Sequence, residues 1–202
     1  DTFDLPNMSA ATISYSHAGF IGGVLAGLNT KNNKVAMVTG EFYDTHRMME
    51  ASFYKGVAYV NPDIETTAIT TGDWADTVKA REACLAVIAQ GYDVLFPCLD
   101  AAGAGVAAAA QDSGNVKVVG AVADYAEDYG AKDVTAGSVV FAWDELGYRE
   151  TKGELCDGKV HVLGMAENGI RPVINMELNE EQKAIYDAAV ADLLAGKIDI
   201  AD

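Results

Sequence analysis

The feature that most constrains this chain is an alternation of two apolar patterns, sustained from residue 11 to residue 143. Short runs that read as strands are "ATISY" (11–15), "KVAMVTG" (34–40), "ETTAITTG" (65–72), "DVLFPC" (93–98), "VKVVGAVA" (116–123) and "SVVFAW" (138–143). Stretches with helical spacing separate most of them. In "HAGFIGGVLAGLN", Phe20, Ile21, Val24, Leu25 and Leu28 share one face, and in "THRMMEASFYKGVAYV" Met49, Phe53, Val57 and Val60 form a stripe. "ADTVKAREACLAVIAQG" and "AGAGVAAAAQDSG" add two further helices. Such alternation predicts an α/β fold: a parallel sheet flanked by helices on both faces. The almost unbroken apolar strands agree, because strands of such sheets are buried on both sides. The glycines of the first helix are costly there unless another backbone packs closely against them.

Beyond residue 143 the pattern changes, which places a boundary between a ligand-binding α/β unit (1–143) and a closing segment (144–202). "DELGYRETKGELCDG" reads as a polar helix, "KVHVLGM" as a strand, "AENGIRP" as a loop and "VINMEL" as a short strand. The last helix, "NEEQKAIYDAAVADLLAGK", has Asn179 as N-cap with Gln182 three residues on, and Gly196 as its stop.

Charge excludes one class of partner. The net charge is −16 with only 14 Lys plus Arg, whereas nucleic-acid binding needs clustered cations. No apolar run approaches the roughly 18 residues of a membrane span. The chain opens at Asp1 in mid-pattern, which points to a processed form or a fragment. Cys84, Cys98 and Cys156 form no C-x-x-C pair, so zinc and dithiol chemistry lack support; Cys84 and Cys98 read as small core residues. His17, His46 and His161 lack metal-ligand spacing, and only His46 falls in a strand-end loop. There is no nucleophile-elbow or Walker signature, so no enzymatic activity and no cofactor is expected.

In open α/β sheets, ligands bind at the carboxyl ends of the strands. That rule selects Glu41–His46, Gly72–Asp76, Cys98–Gly105, Asp124–Tyr129 and Phe141–Asp144. Acids there include Glu41, Asp44, Asp73, Asp76, Asp100 and Asp124, with solvated loop acids as the ordinary account. Aromatics there are Tyr43, Trp74, Tyr125, Phe141 and Trp143, which offer stacking surface for a flat ligand or fill the core. Gly103-Ala104-Gly105-Val106-Ala107-Ala108 fits the relaxed dinucleotide fingerprint, with Asp124 further on. Three readings stand: an NAD-dependent dehydrogenase turn, a turn presenting amides to a neutral or carboxylate ligand, and a turn whose glycines serve helix–strand packing. Asp100 would repel a phosphate, and four residues separate the strand from Gly103.

The ordered set "NMSAATISYSHAGFIGGVLAGLNTKNNKVAMVTG", "MMEASFYKGVAYVNPDIE", "TGDWADTVKAREACLAVIAQGYDVLFPCLDAAGAGVAAAAQDSG", "VKVVGAVADY" and "LGMAENGIRPV" resembles the basic membrane protein family of ABC-transporter solute-binding lipoproteins, which includes purine-nucleoside receptors. The resemblance implies a type I periplasmic-binding-protein fold, two lobes closing on a ligand outside the cytoplasm, and delivery of that ligand to a membrane permease. By that match Trp74 stacks on a nucleobase, the Gly103/Gly105 turn offers backbone groups, and Asp124 grips a ribose. Together with the strand-end rule, the expected ligand-binding set is Glu41, Tyr43, Trp74, Asp100, Gly103, Gly105, Asp124 and Phe141. Departures lie at Val122, where the family carries an acid, at Phe141, where it carries a lysine, and at Arg47-Met48-Met49, where it carries arginine and Phe. The family's N-terminal lobe has no counterpart in these residues. An uncovered cleft of that kind predicts a homo-oligomer or pairing with a lobe-bearing chain. A structural, self-assembling protein that kept the fold and lost the ligand is the remaining alternative.

Overall fold

A computed structural model describes residues 8–200. The order of elements is β1 (Ala10–Ile13), α1 (Tyr15–Asn29), β2 (Lys34–Thr39), α2 (Asp44–Val60), β3 (Glu65–Thr70), α3 (Thr77–Ile88), β4 (Val94–Cys98), α4 (Gly103–Ser113), β5 (Lys117–Val122), α5 (Tyr125–Asp128), β6 (Thr135–Phe141), α6 (Trp143–Thr151), β7 (Val160–Leu163), β8 (Ile170–Ile174) and α7 (Glu180–Leu194). Six strands form one sheet in the order β3-β2-β4-β5-β6-β8. All its neighbours run parallel except β6 and β8, which are antiparallel.

The two faces of the sheet are read directly from the period of two. On β2, Val35 and Met37 enter one core and Ala36 and Val38 the other; on β4, Val94, Phe96 and Cys98 oppose Leu95. The first core is covered by α1, α2 and α7, the second by α3, α4 and α5. Helix α1 is the most deeply buried of the helices, with 12 of its 15 residues buried. Its glycines have the reason expected of them: a Cβ on Gly23 would lie 2.2 Å from the Phe53 carbonyl oxygen, and one on Gly56 of α2 would lie 2.1 Å from that of Phe20. The α7 capping box forms as the sequence predicts, with Asn179 Oδ1 accepting from Gln182 N and Gln182 Oε1 from Asn179 N. Gly196 adopts the expected left-handed conformation at φ 65°.

Three expectations need correction. Strand β1 is not part of the main sheet; it pairs with β7 in a separate two-stranded parallel sheet. Only Ile13 of β1 is buried, so the segment lacks the two apolar faces an interior strand needs. The purely parallel arrangement ends at β8, and that strand begins inside the expected loop 166–172, at Ile170. Pro172 within it is tolerated because β8 is an edge strand, paired only with β6. Finally, Tyr125 is not at the ligand edge but fully buried, as the first residue of a short helix absent from the sequence reading. The closing segment completes the same body: β8 extends the sheet, and α7 docks on α1, where Gln182 Nε2 donates to the Leu28 carbonyl at 2.7 Å.

Candidate functional site

The carboxyl ends of the sheet strands open into a cavity of about 450 Å³ lined by Tyr15, Tyr43, His46, Trp74, Cys98, Leu99, Asp100, Val122 and Trp143. That volume is within the range of small-molecule sites. Every central strand contributes. β2 leads to Tyr43 and His46, β3 to Trp74, β4 to Cys98 through Asp100, β5 to Val122 and β6 to Trp143, while α1 supplies its first residue, Tyr15.

The walls are aromatic and mutually braced. Tyr43 and Trp74 stack with ring centroids 6.0 Å apart and planes 15° from parallel. The His46 ring is 4.8 Å from Trp74, 5.3 Å from Tyr15 and 5.9 Å from Tyr43. Trp74 is seated by Gly40, where a Cβ would meet the indole at 2.4 Å. Tyr43 and Trp143 are 56% and 48% exposed, which leaves large ring surface facing the opening. Asp73 builds the turn that carries Trp74, its Oδ1 accepting from the amides of Ala75 and Asp76 at 2.8 and 3.0 Å.

Burial pushes the Tyr15 phenol up to about 12, with smaller contributions from Cys98 and Asp100. It also drives His46 below its ordinary value against the pull of Asp100, so the imidazole is neutral at pH 7. The Cys98 thiol is raised to about 12 by burial and then by Asp100. A thiol held protonated in this way is a poor nucleophile. Val122 ends β5 at φ 74°, a conformation rare for a β-branched side chain and worth about 1–3 kcal/mol of strain. Such strain gathers at ligand sites, and here it directs a side chain onto the cavity wall.

Of the expected ligand-binding set, Tyr43, Trp74 and Asp100 meet at this cavity, together with His46 and Trp143, which were also noted at strand ends. Glu41 is exposed beside it and accepts a 3.1 Å hydrogen bond from the Tyr43 hydroxyl. Phe141 is buried behind the wall, edge-on to Tyr15 at 5.1 Å and to Trp143 at 5.9 Å. Asp124 caps α5: its Oδ1 accepts from Ala126 N at 3.1 Å and from Ser138 Oγ at 3.3 Å. Gly103, Ala104 and Gly105 donate their amides to the carbonyls of Asp100, Ala101 and Ala102 within the turn. Their glycines answer to packing. A Cβ on Gly103 would lie 2.4 Å from the Tyr125 hydroxyl, and one on Gly105 would lie 2.0 Å from the Thr77 carbonyl oxygen of α3. Those three amides are thus engaged within the turn itself. Tyr15, His46, Cys98, Leu99, Val122 and Trp143 complete the lining. Four of these fall in segments the strand-end rule had selected; Tyr15, read as the last residue of a strand but the first of α1, and Val122, the last residue of β5, do not.

A lobe of this topology, with an aromatic cavity at the strand ends, defines the class as type I solute-binding-protein-like. The fold is shared with an ABC-transporter solute-binding protein from Aeropyrum pernix K1, with a TM-score of 0.83 at 14% identity, covering 95% of this chain and 65% of that one. Residues 3–200 match the Bmp family, described as ABC transporter substrate-binding protein PnrA-like, and the chain belongs to that family. It is 23% identical to the ABC transporter nucleoside-binding protein BmpA of Lactococcus lactis subsp. cremoris over 98% of its length, and 26% identical to basic membrane protein D of Borreliella burgdorferi over 94%. It spans 61% and 57% of the lengths of these two relatives.

Proposed function

We propose that this chain is the ligand-binding lobe of an extracytoplasmic solute-binding protein that serves an ABC transporter, and that it captures a small flat solute without converting it. The observation that carries the reading is the convergence of Tyr43, Trp74, Trp143 and Asp100 at the strand ends, in a member of a solute-binding family. The L. lactis relative is named for nucleoside binding, and stacked aromatic rings suit a nucleobase. The site residues proposed are therefore Tyr43, Trp74 and Asp100, with Glu41 supporting Tyr43 and Phe141 supporting the wall. The β1–β7 pair would join this lobe to a second one: Val160 and Val162 of β7 are 53% and 37% exposed. A permease is the remaining partner.

Tryptophan-fluorescence and calorimetric titrations with adenosine, guanosine and inosine test the reading. Saturable binding that Trp74→Ala weakens by about tenfold supports it, because base–aromatic stacking is worth about 1–3 kcal/mol. Chemical turnover of a bound solute, or binding indifferent to Trp74→Ala, refutes it.

A further inference from the structure

We infer that the cavity selects an organic cation, with its charge on an N-alkylated ring or a quaternary ammonium, over a neutral solute of the same shape. The inference rests on the solute-binding reading of this cavity and specifies its ligand. Four aromatic rings, Tyr15, Tyr43, Trp74 and Trp143, form its walls beside a single carboxylate, Asp100. No lysine, arginine, asparagine, glutamine, serine or threonine lines it. A neutral base can hydrogen-bond the Tyr15, Tyr43, His46 and tryptophan side chains, but it leaves the one carboxylate of this lining, Asp100, without a counter-charge. A weakly hydrated cation instead needs ring faces and one counter-charge.

Asp100 is free to supply that charge. Its carboxylate makes no hydrogen bond or ion pair among the described residues; its backbone oxygen accepts from the Gly103 amide at 2.9 Å and from the Tyr129 hydroxyl at 3.0 Å. Cations on neighbouring elements are committed elsewhere. Arg47 pairs with Glu50 and covers the Phe42 ring, Lys79 pairs with Asp73 and Asp76, and Arg171 pairs with Asp144. The negative potential reaches the walls, since Asp100 raises Tyr15 and Cys98 and opposes the downward shift of His46. The chain's net charge of −16 adds a long-range term of the same sign.

The test is calorimetric titration of the purified protein with matched pairs: 1-methylnicotinamide against nicotinamide, and choline against 3,3-dimethylbutan-1-ol, with guanosine as a third probe. The inference expects at least one cation to bind about tenfold or more tighter than its neutral partner. Asp100→Asn should remove most of that difference, while Asp112→Asn, which makes the same change in net charge on remote α4, should leave it intact. Guanosine binding alongside equal affinities within each pair overturns the charge preference and leaves the solute-binding reading standing. Failure of every probe, guanosine included, overturns both. A cation preference that survives Asp100→Asn overturns the assignment of Asp100.

Discussion

The crossing of α1 and α2 yields a sharp test, because one substitution type should act with opposite sign at two helical glycines. Alanine at Gly23 would place its Cβ 2.2 Å from the Phe53 carbonyl oxygen and 2.9 Å from Val57 N. Ordinary contact begins near 3.4 Å, so the helices must separate by more than 1 Å along that line. A gap of about 0.5–1 Å already forfeits a quarter to a half of each dispersion contact across it. Overpacking of this kind costs about 1–3 kcal/mol, and the upper end applies because backbone, not a flexible side chain, is struck. Alanine returns about 1 kcal/mol through its better helix propensity. The net loss is about 2 kcal/mol, which lowers Tm by about 4–8 °C in a chain of this size. At Gly147 in α6 an added Cβ meets nothing within 4 Å, so only the propensity gain remains and Tm should rise by about 2–4 °C. Differential scanning calorimetry on the two variants decides it. If Gly23→Ala also raises Tm, the helices are not in backbone contact and the account of the first core is wrong.

Three further outcomes follow from buried groups. The Tyr125 hydroxyl is buried with no hydrogen-bond partner among the described residues, so Tyr125→Phe should hold or raise Tm by about 2–4 °C in the same calorimetric scan; an equal fall would reveal a partner for it. Burial raises both the Cys84 and Cys98 thiols to about 12 while Cys156 is exposed, so Ellman's reagent should titrate one thiol in the native protein and all three after denaturation. His46 is depressed by burial below 6.5, facing Asp100 and the rings of Tyr15, Tyr43 and Trp74. The unfolded chain therefore takes up this proton first as pH falls. The stability this group contributes is full above about 6.5, its unfolded value, and is lost progressively toward the lower folded value. Denaturant titrations at a series of pH values should show that slope in the native sequence and a shallower one in His46→Gln.

How much of this was readable beforehand depends on the range over which each signal acts. Most helices and strands and the α7 caps are written in local periods and in single residues such as Asn179 and Gly196; α1 to α4, β2 to β4 and the α7 caps appear close to where expected, whereas α5 and the start of β8 do not. The edge at which the cavity opens was also legible, because the strand-end rule needs only the order of elements. Pairing was not: nothing local in "AATI" states that its partner is Val160–Leu163, far along the chain. The site residues were legible only in part for a related reason. Gly103 and Gly105 carry the same letters whether they cradle a ligand or admit a neighbour, and only the fold shows the Tyr125 hydroxyl and the α3 backbone packed against them. Asp100, by contrast, was weighed as something a phosphate would avoid, and its place on the cavity wall gives that negative argument a positive use.

The same geometry constrains how the cavity would respond to movement of β1 and β7. Strand β1 runs straight into α1: Ser14 N donates to Leu163 O at 3.0 Å, and Met165 N donates to His17 Nδ1 at 3.2 Å. One residue after that junction, Tyr15 reaches the wall and touches the His46 and Phe141 rings. Because α1 is almost entirely buried and locked to α2 by glycine contacts, this end of the strand pair cannot shift without repacking the core. The opposite end is held by lighter contacts, such as Gly158 N donating to Ser9 Oγ, and Gly153 and Gly158 there adopt positive φ. Tyr15, His46 and Trp74 would stay fixed, so the aromatic wall is preorganised and the ordering cost of binding on this side is small.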